Sequence, residues 1–567
     1  MMSRNNRKTN NRYFTNTENE YFFQFGVNDF SQKVNDFCDG LRKYNIRGST
    51  PSTNSSDYLK SLKDIMKSMK PPYTVILEHF YVDKSFRDSY YRYFSSSHFN
   101  SNRTSRRLSF FQGLISAEDF LNFDISCVDY EEMMENSPQG KLVYYGSVVL
   151  NPVRTGAIGR TILDPRCLDL QKQDPSPIYM RLSNFKIHIY GRTLRVNAFP
   201  YRMQDEETTK CAEITFLNLM DYYSNSYPDY KNTLPGEILD MEKRHSNERV
   251  LPSRGMSYVV MSKLMYYFGF SPRLYDYRSV DSFPGSHITP QINLKRWLYY
   301  YVESGIPVAV ELGSGKPKES GHSVICIGHG SMDKEKLKEA YELGHKDDKK
   351  SRTYLNSADF YDSFVIIDDN KPVYNIRKYD QLSQHKELKL ASLAVPLNRR
   401  MCLDAPDAEA TFLAILNDEK LGLDKWAKKG FLKKNEAVIM RMFLASSHSL
   451  KSYRVKTLKD KNLREYYAFI PMPRFVWVCE LYKTEEYLDL KKVEKTTDTI
   501  EAFGEVVLDT TSVPTKENAG SAIIFCHYPG RIATRYPEDT QLGFSKMIEI
   551  DDDKSFPGFG NNLTKII

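Results

Sequence analysis

The chain has 567 residues, of which 41% are hydrophobic and 27% charged, with 39 Tyr and 32 Phe. So much apolar and aromatic surface excludes a largely disordered protein and predicts roughly three or four domains' worth of packed core. A net charge of +7 over this length is mild and argues for no acidic partner. The eight cysteines are scattered, with no CxxC pair and no short Cys/His spacing, which excludes a disulfide framework and a zinc ribbon. MMSRNNRKTNNRYF is polar and basic, with no apolar run behind it, so no secretory signal is expected. No stretch approaches the ~18 apolar residues of a membrane span. The expectation is a cytoplasmic protein with no membrane partner.

Residues 1–20 read as a polar tail. From 21 to 200 the pattern is first mainly helical, then β. The amphipathic DYLKSLKDIMKSMK stops at Pro71-Pro72, where the missing N–H and fixed ring torsion end a helix. YTVILEHFYV reads as an inserted strand, and KLVYYGSVVLNPV is apolar and β-branched. In FKIHIYGRTLRV, Phe185, Ile187 and Ile189 alternate on one face, and Leu194 and Val196 resume after Gly191, which predicts a hairpin. From 201 to 400 the pattern turns helical, with Ala212, Phe216, Met220 and Tyr223 on one face. The helices SYVVMSKLMYYFGF and LKRWLYYYVESG follow. Then come PVAVEL, HSVICIG and SFVIID, apolar on both parities as interior strands are. From 401 to 567 a mixed α/β region is expected. Its helices are EATFLAILN and EAVIMRMFLASS, and its strands FVWVCELY, FGEVVLDTT and AIIFCHY.

Four residues in the middle region carry chemistry. Cys211 opens a helix, with Thr208 or Thr209 as its N-cap. A helix N-terminus stabilises negative charge and so favours a thiolate, the attacking species in cysteine catalysis. Asp205, Glu206 and Glu207 oppose this if they point at the sulfur. His322, in SGHSVICIGHG, begins a buried strand, where its ring sits at the sheet's end. His329, at the far end of that strand, has no partner pattern and reads as structural. Asp368, in FVIIDDNKPVY, ends the next strand and can accept a hydrogen bond from a His ring, fixing its tautomer. Asp369 and Asn370 stand beside it, and turn chemistry accounts for the same trio. Gln204 carries an amide that can join the Cys211 N–H in holding an oxyanion. Taken singly, each has a bland reading: a buried apolar Cys, a surface His, a turn Asp, a loop Gln.

The ordered set Gln204, Cys211, Gly305 to Val308 (GIPV), Gly321 to Val324 (GHSV) and Asp368 resembles the papain-like cysteine peptidase superfamily. It is most similar to the bacterial branch of double-glycine-leader peptidases of bacteriocin exporters. The resemblance covers about 204–375. It implies an α+β fold, with a papain-like catalytic domain whose Cys helix packs on an antiparallel sheet, between mixed α/β flanks at both ends. It implies a cysteine hydrolase, most simply a protease cleaving a peptide or isopeptide bond in a polypeptide substrate. Cys211 is then the nucleophile, His322 the base, Asp368 the orienter and Gln204 the oxyanion donor, with no cofactor or metal. The same triad permits glutamine deamidation or transamidation, and an inactive scaffold of this kind serves as an interaction protein.

The sequence also departs from that pattern. Gln204 stands seven positions before the Cys, where the family has six, and Glu213 replaces a small residue or Pro. Between His322 and Asp368 lies a segment, 331–362, with 15 charged residues in 32. It reads as a surface insertion. With such large flanks, the expectation is that a docked segment limits access to Cys211 until a regulatory partner protein releases it. Residues 89–117 lack Asp and Glu and interleave Arg with Tyr and Phe, but an amphipathic element explains this, and no nucleic-acid partner is expected.

Overall fold

The computed structural model describes residues 21–45, 57–97, 102–122, 143–153, 158–245, 255–276, 290–313, 321–344, 352–382, 388–419, 422–427, 431–433, 436–487, 500–514, 519–534, 546–549 and 555–566. The expected tail, 1–20, lies outside them. The architecture is mixed α+β with several antiparallel sheets. Among the described residues no helix is long and apolar enough to cross a membrane. The chain divides into two compact units, Met1–Leu168 with Asn184–Ala198, and Asp169–Ser183 with Phe199–Ile567.

In the first unit, strands Phe22–Phe25, Tyr73–Tyr81, Ser105–Gln112, Tyr144–Leu150 and Ile158–Leu163 form an antiparallel sheet in that order. The alternating segment makes the expected hairpin, Ser183–Ile189 with Arg192–Ala198. Its turn places Tyr190 at φ 43° and Gly191 at φ 79°, the positive torsions a tight two-residue hairpin turn needs. Phe185, Ile187, Ile189, Leu194 and Val196 share a core with Phe111, Tyr144 and Ile162. The Arg- and aromatic-rich stretch contains the central strand Ser105–Gln112, where a mainly helical region was expected. Phe110 and Phe111 are fully buried there, and buried Arg107 pairs with Glu78. Its aromatic spacing is that of a strand in a core.

The second unit holds two larger sheets. In one, strands run in the order Asn375–Lys378, Ser363–Ile367, His322–His329, Val308–Gly313, Lys389–Val395 and Arg273–Asp276, antiparallel throughout. The other runs Tyr354–Asn356, Val438–Ser446, Phe475–Lys483, Gly504–Asp509, Ile523–Tyr528, Arg531–Thr534 and Lys546–Glu549. Helix Pro290–Glu303 packs on strands of both sheets, and one core runs from Tyr275 to Tyr528. Residues from both 201–400 and 401–567 contribute to that core, and both stretches lie mainly in the second unit. The reason is that an α/β region with apolar faces on both parities needs a partner layer, and the two sheets supply it to each other across the helix.

Two elements differ from expectation. EAVIMRMFLASS forms the strand Val438–Ser446, not a helix. Eight of its nine positions are buried, and a short run apolar on both parities carries no period that separates strand from helix. The charged segment 331–362 is also more than a surface insertion. Helix Lys334–Gly344 buries Leu337, and Tyr354–Asn356 pairs in parallel with Val438–Met440 as the edge of the second sheet. Arg296 grips Asp359 through two bonds of 2.7 Å, so the return of this segment is fastened to helix Pro290–Glu303.

Candidate active site

Cys211 is the first residue of helix Cys211–Ser226, most of whose side chains are buried. The N-cap is Lys210, one residue later than expected, because Thr208 and Thr209 are drawn into the preceding loop. There the Asp205 carboxylate accepts the N–H groups of Glu207, Thr208 and Thr209 at 3.0, 2.7 and 2.9 Å. Asp205 is thus spent on holding the loop. The helix start is closed by Glu213, which is buried and accepts the Lys210 N–H at 3.3 Å. A carboxylate at the third helical position satisfies a donor that the first turn leaves unpaired. That accounts for a Glu where the related pattern has a small residue.

The helix packs on the strand His322–His329. A buried chain of hydroxyls fastens the two. Ser323 donates to Thr215 at 3.0 Å, one turn beyond Cys211, and shares a second 3.0 Å bond with Tyr258 at the start of helix Tyr258–Tyr267. Each hydroxyl has a partner, so burying the chain carries no desolvation penalty and sets the height of Cys211 against His322. These three residues escaped the sequence reading. Ser323, beside His322 in the GHSV run, was the only available signal.

His322 begins its strand, and Ile325 pairs with Ile367 on the neighbour. Continuing that register past Ile367 carries the turn 368–370 alongside 322–324. His322 Nε2 lies 2.8 Å from Asp368 Oδ1 and 3.7 Å from Asp369 Oδ1. The Cys211 side chain is the ring's other hydrogen-bonding neighbour. Burial pulls the ring's pKa down, but the bonds to Asp368 and Cys211 outweigh it and lift it from 6.5 to about 10. Asp368 feels the same pair from the other side: burial pushes its carboxyl up, and the His322 ring holds it below its usual range.

The structure thus brings Cys211, His322 and Asp368 together at one end of the first sheet. Gln204 arrives there too, but its Nε2 donates to Asn370 Oδ1 at 3.1 Å, tying the loop before Cys211 to the turn after Asp368. Asp369 behaves differently from Asp368. It is buried, neither carboxylate oxygen has a hydrogen-bond partner among the described residues, and burial lifts its pKa to about 7. His322, Asp368 and Asp369 each offer one ligand atom within 4.8 Å of the others, so a divalent cation has donors here, but it would take Nε2 away from Asp368.

His329, which reads as structural, lies at the far end of the same strand. It is buried, with Nε2 2.6 Å from Glu303 and Nδ1 2.7 Å from the Gly330 carbonyl. Glu303 continues into a buried ladder: Arg441 Nε at 2.7 Å, then Arg441 to Glu480 at 2.8 Å, Glu480 to Arg454 at 2.5 Å and Arg454 to Glu505 at 2.6 Å. No thiol belongs to it. No protein-family model matches the chain, and no curated protein matches it.

Proposed function

We propose that the second unit is a papain-like cysteine hydrolase that breaks a peptide or isopeptide bond. The observation that carries this reading is that one imidazole, His322, bonds Asp368 through Nε2 at 2.8 Å and has the Cys211 side chain as its other hydrogen-bonding neighbour. An imidazole that holds its proton to about pH 10 is an imidazolium at neutral pH, the counter-ion a thiolate requires. The thiolate adds to the carbonyl carbon, the C–N bond breaks, and the imidazolium proton leaves on the amine. Water then gives a proton to the neutral imidazole as its oxygen adds to the thioester, and collapse releases the acid and restores the thiolate. The oxyanion is held by the Cys211 N–H, which has no intrahelical partner in the first turn, and by the Gln204 N–H not engaged by Asn370. Asp368 holds the ring in place and does not itself take the proton.

The chain contains its own control. Cys402 is an exposed free thiol outside this constellation. Iodoacetamide labelling at pH 6, resolved by mass spectrometry, should modify Cys211 at least about 10-fold faster than Cys402, because only Cys211 has the His322 imidazole beside it to take its proton. Equal rates would reduce the site to an inactive scaffold.

A further inference from the structure

A large cleft of the second unit lies away from Cys211, and the triad has no use for it. Its volume is about 1040 Å³, at the upper end of small-molecule sites. It opens just beyond the C-terminal end of helix Cys211–Ser226, at Asp229 to Asn232.

The chemistry of its wall is one-sided. Four cations, Lys231, Arg399, Arg400 and Arg474, face two carboxylates, Asp229 and Glu237. Both carboxylates are occupied: Asp229 pairs with Arg474 at 2.9 Å, and Glu237 accepts the Leu234 N–H at 3.0 Å. Arg399 and Arg400 are exposed, and among the described residues neither guanidinium has a hydrogen bond or an ion pair. They form the middle of a turn closed by Met401 N–H to Asn398 O at 3.4 Å. Arg400 sits at φ 70°, a torsion that turns normally assign to Gly or Asn. A long side chain held there carries backbone strain, which persists where a site needs the residue. Beside the turn the wall is aromatic. Tyr267 is 56% exposed, and Tyr230 stacks on Phe270 with centroids 4.2 Å apart.

We infer that this cleft binds a nucleoside di- or triphosphate, with the phosphates on Arg399 and Arg400 and the base against the aromatic wall. Two adjacent unpaired guanidinia match phosphate oxygens bidentately, and an exposed aromatic ring gives a base a stacking face. A purely anionic ligand has no use for Tyr267, and a purely apolar one has none for the arginines.

The test is fluorescence anisotropy on the full chain with a fluorescent ADP or ATP analogue, competed by unlabelled ATP, adenosine, tripolyphosphate and an oligo-glutamate peptide. ATP should compete at least about 10-fold better than adenosine or tripolyphosphate alone, since each alone engages half of the site. Arg399→Ala with Arg400→Ala should weaken ATP at least about 10-fold, and Cys211→Ala should leave it unchanged. Arg400→Gly is the sharper variant: it should raise the melting temperature by relieving the torsion while weakening ATP. Wild-type affinity in the double variant, no binding at about 5 mM nucleotide, or oligo-glutamate competing as well as ATP would overturn the proposal.

Discussion

The strand His322–His329 carries a histidine at each end, and each is bonded to a carboxylate, at 2.8 Å for His322 and 2.6 Å for His329. Judged by the carboxylate alone the two ends are equivalent. They differ in everything around it. His322 is partly exposed at a sheet end and has the Cys211 thiol on its other side. His329 is buried, its other nitrogen faces a backbone carbonyl, and its carboxylate is shared with Arg441. Against the cost of burial, Arg441 and His329 hold Glu303 down to a pKa of about 2, so this carboxylate stays charged at working pH and anchors the Arg441 ladder. A His–carboxylate pair is therefore no mark of catalysis. The thiol and the open edge make the difference.

That contrast can be broken most directly at the nucleophile. On the proposed reading, Cys211→Ala and His322→Ala should each lower turnover of a peptide substrate at least about 10³-fold, while His329→Gln leaves kcat per folded molecule within about 3-fold. Comparable losses at both histidines would erase the distinction. Asp368→Asn should cost about 10²- to 10⁴-fold in kcat with an unchanged circular dichroism spectrum, because the ring loses its held tautomer. At the other end the expected loss is in stability. Arg441→Met removes the cation that buried Glu303 and Glu480 share, leaving them only His329 and Arg454, and should cost about 3–5 kcal/mol in urea unfolding, whereas Asp368→Asn, at the partly exposed sheet end, should cost far less.

Two smaller effects follow from protonation. The folded pKa of His322, about 10, is above the ordinary 6.5, so its contribution to stability is complete below about pH 6.5 and lost as pH rises through about 10. The melting temperature of wild type relative to His322→Gln should therefore fall across that window. A constant difference would place the ring outside the ion pair. Asp369 has the opposite sense. Its carboxyl is lifted from 3.8 to about 7, so the folded state holds a proton the unfolded chain has released, and stability falls as pH rises from about 4 to 7. Asp369→Asn should remove that slope and melt higher than wild type above pH 7, the smallest of these effects.

The same strand shows what could be read in advance. HSVICIG is apolar on both parities between a glycine and a turn, and it forms an interior strand because such a run has no face to give to water. FKIHIYGRTLRV alternates strictly, and its turn has only one cheap geometry. VIMRMFLAS resembled a helix because its Arg interrupts an apolar run at no diagnostic spacing. It is a strand because Glu303 and Glu480 wait for Arg441 on either side, and both arrive from elsewhere in the chain.

The chain order of Gln204, Cys211, His322 and Asp368 could be read because local rules set it: a helix start, a strand entry and a strand end are properties of short segments. Which carboxylate meets the ring could not. Asp368 and Asp369 are neighbours with identical side chains, and only the register Ile325 to Ile367 puts one at 2.8 Å and leaves the other buried at 3.7 Å, with no hydrogen bond among the described residues. The hydroxyl chain Thr215–Ser323–Tyr258, the ladder from His329 to Glu505 and the cleft at Arg399 and Arg400 are also tertiary. Each joins residues tens to hundreds of positions apart, and their partnership exists only once the sheets and helices have packed. Periodicity reports which face of an element is buried, and packing alone decides what that face meets.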